Sequence, residues 1–197
     1  MTLAAQCKRM FNAFASHILR YRIPMFARAL TFLLTLTLLA SLCAEDSPLK
    51  SNAKIVVLVF VSSECPISNK FAPELERLSH EFPTNDVSFN LVYPNASDSE
   101  AKIAEHRRDF HLTGAYRRDP DHSLAKTARA TVTPEAAVFD AHRNLVYRGR
   151  VNDQYLALGK GRPEPTQHDL EDAIKTTLDG HKPKRAHIEA IGCFIQD

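Results

Sequence analysis

Between Lys54 and Ser62 the chain reads KIVVLVFVS, a run that is polar only at its ends. A stretch so apolar and so rich in β-branched residues has no solvated side, so it predicts a central strand covered on both faces. The pattern then changes period. In Ser68–Phe82 the apolar residues Phe71, Leu75, Leu78 and Phe82 recur at helical spacing, which predicts a helix with one buried stripe. Val87–Tyr93, VSFNLVY, predicts a second strand. SDSEAKIAEHRRDF predicts a helix capped by Ser97 or Asp98, with Ile103, Arg107 and Phe110 along it. Asp121–Ala130 reads as a short helix. Ala136–Phe139 and Leu145–Val151 flank the turn DAHRN, a hairpin signal. In TQHDLEDAIKTTLDG, Thr166 can cap a last helix, Leu170, Ile174 and Leu178 form its stripe, and Gly180 can end it. A strand–helix–strand unit implies parallel strands joined by a crossover, and the later hairpin adds antiparallel strands. The expected fold class is therefore α/β, with a central mixed sheet of four or five strands flanked by helices. Residues 45–53 read as a polar arm, residues 45–180 as the domain and residues 181–197 as a tail.

Residues 1–44 follow another pattern. From Met25 the sequence is MFARALTFLLTLTLLASLCAEDSP: Arg28 precedes an apolar run, Ala29–Leu42, of signal-peptide length and short for a membrane span. Cleavage is expected after Ala44, giving an exported, periplasmic or secreted protein; membrane contact is expected only through an uncleaved leader. Leu42 stands where a lipoprotein signal at Cys43 would need a small residue. Residues 1–24 read as an upstream extension.

Charge divides at the same place. The chain holds 25 basic and 23 acidic residues; five of the basic ones and none of the acidic ones lie in residues 1–44, which leaves 20 against 23, a net of −3. Nothing in the remainder has the footprint of nucleic-acid binding. With six glycines and no Gly-rich phosphate loop, no cofactor is expected. Export also sets the redox context. Cys7 and Cys43 leave with the leader, and Cys65 and Cys193 remain. Two thiols are too few for a disulfide scaffold, so they bridge each other or at least one is a working thiol.

The working candidate is Cys65, in FVSSECPISNKFAPELERL. It stands where the first strand ends and the first helix begins. Unpaired N–H groups and the positive end of the helix dipole favour a thiolate there. Pro66 lacks an N–H that would have no partner in the first turn. Ser68 can donate a hydrogen bond to the sulfur, while the neighbouring carboxylate of Glu64 opposes ionisation. The competing expectation is an inert buried thiol.

These residues resemble the thioredoxin superfamily. There a strand ends in Cys-x-x-Cys and a proline eight residues after the first cysteine kinks the helix; Cys65, Ser68 and Pro73 occupy those positions. Thr133–Pro134 in TVTPEAAVFD resembles the family's cis-proline, which faces the active thiol. The resemblance spans about residues 50–180. CPISNKFAPEL, TPEAAVFD and YRGRVND are most similar to exported redoxin-type proteins of the alkyl hydroperoxide reductase/thiol-specific antioxidant group. Ser68 replaces the resolving cysteine, Glu64 stands where thioredoxins often carry Trp, and Val59 falls on the position of their buried acid.

The resemblance implies an exported thiol–disulfide oxidoreductase with a monothiol Cys-x-x-Ser site. Its partners would be protein thiols or disulfides, or a thiol reductant. Backbone beside Pro134 would be free to pair with an extended peptide, and Cys193 is the candidate resolving thiol. An alternative is a peroxiredoxin-like peroxidase acting on peroxide. Ser62 would then hold the hydroxyl position and Arg148 or Arg150 would polarise the peroxide, although Leu58 replaces the expected proline. Strand alternation puts both arginines on one face, where a solvated edge is the plainer reading. A third possibility is a non-catalytic binding or metal-carrying module; His181, His187 and Cys193, six residues apart in turn, are its candidate ligands, against a plain tail. The stretch EHRRDFH reads as a solvated helix face, and NAS at Asn95 matters only in a host that glycosylates.

Overall fold

The computed structural model describes residues 47–196; the leader expected in residues 1–44, with Cys7 and Cys43, lies outside the described residues. The first strand, β1 (Ile55–Phe60), is buried along its whole length. Its odd-numbered side chains, Ile55, Val57 and Val59, join one apolar cluster, and its even-numbered ones, Val56, Leu58 and Phe60, join another. That is the two-sided burial expected of an unbroken apolar strand.

β1 lies at the centre of a six-stranded sheet. On one side it pairs parallel with β2 (Val87–Tyr93), which pairs parallel with β3 (Ala115–Arg118). The chain then enters β4 (Val132–Thr133) and β5 (Glu135–Phe139). β5 runs antiparallel to β1 on its other side and to β6 (Leu145–Gly149). A small hairpin, β7 (Tyr155–Ala157) and β8 (Lys160–Gly161), stands apart from this sheet. β9 (His187–Ile188) adds a parallel edge beside β6, and β10 (Cys193–Phe194) pairs antiparallel with β4 in a separate two-stranded ladder.

The fold class is therefore as expected, but the sheet has six strands and not four or five. β3 was hidden because it is a four-residue edge strand, AYRR, in which charge replaces an apolar stripe. β9 and β10 have two residues each, too few to show a period. The segment read as a tail is thus bound to the domain at two places.

The helices cover both faces. α1 (Pro66–Glu81) packs Phe71, Leu75 and Leu78 onto the first cluster, joined by Ile103 of α2 (Glu100–Asp109). α4 (Asp169–Leu178) adds Leu170 and Ile174. α3 (Ser123–Ala128) covers the second cluster with Ala125 and Ala128. Pro73 lies inside α1 as expected, where it removes one backbone donor and crowds the carbonyl of Asn69.

Two caps differ from expectation. Ser99, not Ser97 or Asp98, caps α2 by accepting from the Lys102 N–H. Thr166 does not cap α4; its N–H and hydroxyl both bond to Asp153, and the helix starts three residues later. Leu75 is almost wholly buried beneath α1. Leu75→Ala is therefore expected to cost about 2–5 kcal/mol, read as a lower urea midpoint with unchanged slope.

Candidate active site

Cys65 is set by the loop that leaves β1 and by α1, which it caps. Its backbone is extended, with φ −86° and ψ 111°, and its sulfur accepts from the Ser68 N–H at 3.5 Å. Pro66 fills the first helical position, as the sequence suggested. The preceding loop is tied down at each residue. Ser62 is buried, and its hydroxyl accepts from Asn95 Nδ2 at 3.0 Å. Both the N–H and the hydroxyl of Ser63 bond to Asp98 Oδ1, which is fully buried. The Ser63 carbonyl accepts from Asn69 Nδ2 at 3.3 Å.

Behind Asn69 runs a polar chain. Asn69 Oδ1 can only accept, so His106 Nε2 donates to it at 2.9 Å; Nδ1 then accepts from the Tyr93 hydroxyl at 2.9 Å. Burial lowers the pKa of His106, which favours this neutral arrangement. Asn69, Tyr93, Asn95, Asp98 and His106 were all missed as site residues. Asn69 and Tyr93 lie in segments read by their apolar period. Asn95 reads as a glycosylation acceptor, Asp98 as a helix cap, and His106 as part of a solvated helix face, which its burial corrects. Each contacts the loop or its anchors across the fold.

The surroundings of the sulfur are close. Cys65 is 2% exposed. Its Sγ lies 3.0 Å from the Thr133 carbonyl, and the Thr133–Pro134 peptide is cis. Its other neighbour is Cys193 of β10, with the two sulfurs 2.8 Å apart and both cysteines free. The strand pairing places them so, because Cys193 stands opposite Thr133 in the β4–β10 ladder.

Burial raises the pKa of Cys65, but hydrogen bonds from Cys193, from the backbone and hydroxyl of Ser68 and from Thr133 outweigh it, and the net shift is downward. Cys193 moves the other way. Burial, then its bond and its charge repulsion with Cys65, push its thiol up to about 11. Thiolate absorbance near 240 nm in the reduced protein is thus expected to rise in two steps, one below the ordinary thiol value of 9.0 and one near 11. Since the Cys193 hydrogen bond is the largest of the lowering influences, Cys193→Ala, which removes the donor, is expected to move the first step upward.

A thioredoxin-like family model matches residues 52–145, from the arm through β1, α1 and the cis-proline to the start of β6. Over that stretch the chain is thioredoxin-like, and its fold is the thioredoxin-like α/β fold. Among solved structures, this thioredoxin-like chain is similar to an uncharacterised conserved protein from Geobacillus kaustophilus, with TM-score 0.65 and 26% identity over 76% of this chain and 79% of that one. It is also similar to a hypothetical protein from Sinorhizobium meliloti, with TM-score 0.64 and 22% identity over 73% and 80% of the two chains. A thioredoxin-like protein solved in its oxidised form shares the fold at TM-score 0.52 and 17% identity, over 71% and 88%. A search of curated proteins finds no match.

Within this thioredoxin-like fold, Cys65, Ser68, Thr133, Pro134 and Cys193 come together. Arg148 and Arg150 do not join them, and they do not share a face. Arg148 stands in register with Ala137 and Leu58, on the sheet face away from Cys65. Its guanidinium is held by Glu135, the Arg129 carbonyl and His187. Alternation fails at Gly149, where φ is 152°, and Arg150 turns to Asp169 at 2.7 Å and Gln167 at 2.9 Å. The hydroxyl of Ser62 serves Asn95 and the Glu64 N–H, not the sulfur. Glu64, expected to oppose ionisation of Cys65, pairs with Lys102 Nζ at 2.6 Å.

The backbone of β4 is not free for a peptide, because β10 already pairs with it. His187 lies beside Arg148 while Cys193 faces Cys65, so the expected tail ligands are apart. Among the described residues, Glu74, His168 and Glu171 bring possible ligand atoms within 4.8 Å of one another, but Arg77 bridges both carboxylates and a cation would have to displace it. Asn95 is buried with both amide atoms bonded, to Ser62 and to the Gln196 N–H, so it is not presented as a glycosylation acceptor.

Proposed function

We propose that this chain is an exported thiol–disulfide oxidoreductase whose redox pair is Cys65 and Cys193. The observation that carries the reading is the 2.8 Å approach of the two sulfurs, at the N-terminus of α1 and beside Thr133–Pro134. A disulfide needs about 2.05 Å, so closing the bond asks for a small movement of groups already aligned. Cys65 is the thiolate member, since its pKa is lowered and that of Cys193 is raised. Only the thiolate is nucleophilic.

The monothiol motif Cys-x-x-Ser lacks its second sulfur locally, and β10 supplies one from 128 residues away. Ser68 remains as a donor that favours the anion. In a mixed disulfide at one cysteine, the other attacks, the protein disulfide forms and the outside sulfur leaves. Protein thiols and disulfides are the substrate class. Export follows from the leader pattern of residues 25–44. A peroxidase finds less support, because both candidate arginines are committed elsewhere.

The test is to incubate the reduced protein with glutathione disulfide, digest it without reductant and map its linked peptides. A Cys65–Cys193 peptide is expected. Two cysteines that remain separate, or that each carry glutathione, would sink the reading.

A further inference from the structure

The two sulfurs do not meet the outside equally. Cys65 lies beneath β10, enclosed by the Thr133 carbonyl, the Ser68 N–H and Cys193 itself. β10 is fastened at its cysteine and just beyond it. The Ile195 N–H bonds to the Thr131 carbonyl at 3.0 Å, the Thr133 hydroxyl donates to the Cys193 carbonyl at 3.4 Å, and the Gln196 N–H reaches Asn95 at 3.2 Å. The strand thus fills the edge that an extended peptide would otherwise use. Cys193, by contrast, is half-buried at the domain surface, and Phe194 beside it is 79% exposed, the most exposed large apolar side chain among the described residues. A bare aromatic ring adjoining a thiol is a natural contact for a protein partner.

We propose that Cys193 is the sulfur that meets the substrate, and that the substrate is a polypeptide dithiol with an apolar side chain next to its cysteine, which packs on Phe194. This rests on the Cys65–Cys193 pair being the redox centre. A substrate thiolate attacks Cys193 Sγ, the Cys65–Cys193 bond breaks and its electron pair leaves on Cys65. The second substrate thiolate then attacks the substrate sulfur of the mixed disulfide, and Cys193 departs with the electron pair and takes a proton. The substrate has lost two electrons to form its disulfide, and the protein pair has gained them. An outside disulfide returns the pair to the oxidised form by the reverse steps. Geometry chooses the attacked sulfur and leaving-group chemistry agrees, because the lower-pKa thiol leaves faster.

The experiment uses the full chain, oxidised with glutathione disulfide and shown by mapping to carry the Cys65–Cys193 bond. Reduced glutathione is then added as a monothiol probe, the reaction is quenched with acid, free thiols are alkylated and the peptides are mapped. Glutathione is expected on Cys193 and the alkyl group on Cys65, with a preference on the order of tenfold or more. Glutathione mainly on Cys65 overturns the proposal and leaves the redox pair standing. Absence of the starting disulfide defeats the pair itself. The partner contact is read with Phe194→Ser and two reduced dithiol peptides that differ in Leu or Ser beside the cysteine. The wild type is expected to oxidise the Leu peptide several-fold faster, and the variant to treat both alike. An equal rate for both peptides in the wild type overturns the apolar contact.

Discussion

Replacing Cys65 by serine is expected to reduce thiol–disulfide exchange to the uncatalysed rate. The hydroxyl is close in size to the thiol and can take the same place at the head of α1, between the Ser68 N–H and the Thr133 carbonyl. The fold should therefore survive, as circular dichroism would verify. What is lost is redox chemistry, since oxygen at that place can neither form the protein disulfide nor leave as a thiolate. Cys193 does not substitute for it, because burial alone already disfavours its ionised form. The measurement is oxidation of a dithiol peptide by the oxidised chain, with wild type and Cys193→Ser in parallel. A Cys65→Ser protein that keeps a tenth or more of wild-type turnover would remove Cys65 from the chemistry.

Half of this site could be read from the chain alone, and the division has a physical cause. Cys65, Pro66, Ser68 and Pro73 lie within one strand-to-helix junction, where local rules bind residue type to position: a cap residue, a proline in the first turn, a stripe at helical spacing. The bounds of β2, Val87–Tyr93, were legible for the same reason. Cys193 was legible as the candidate resolving thiol, but the strand that delivers it was not, because a two-residue strand has no period and its partner lies 60 residues away in β4. Arg148 and Arg150 misled because alternation holds only while the backbone stays extended, and Gly149 breaks it. Asn95 and Asp98 gave only misleading signals, a glycosylation triplet and a helix cap. Their role is to hold Ser62 and Ser63 across the fold, and a polar residue after a strand looks the same whether it faces water or a loop.

Asn95 also shows how the loop and the C-terminal segment depend on each other. One amide atom holds Ser62 and the other holds Gln196, so the loop carrying Cys65 and the strand carrying Cys193 share a single buried anchor. Farther back, Arg185 joins the same segment to Asp169, which is buried and already paired with Arg150. A second sulfur delivered by a distant strand is useful only if that strand returns to one register. These contacts supply the register that a Cys-x-x-Cys motif would have had from helix geometry.

The sharpest probe of that register is Gly192→Ala. A Cβ added at Gly192 would stand 2.2 Å from the Thr133 carbonyl oxygen and 2.7 Å from its carbon, both backbone atoms that cannot rotate aside. Glycine is required here by close approach. Overpacking of this kind costs about 1–3 kcal/mol, which shifts the seated strand toward the released one by roughly five- to 150-fold. Once β10 lifts, Cys193 is a thiol on a short flexible tether at an effective concentration of about millimolar. Two results are then expected together. Closure of the Cys65–Cys193 disulfide by glutathione disulfide should slow by about tenfold or more, and alkylation of Cys65 by iodoacetamide at pH 7 should accelerate, because the cover over that sulfur has gone. If closure and alkylation both match the wild type, β10 does not govern access to Cys65. The second sulfur would then reach the first by some route other than this strand pairing.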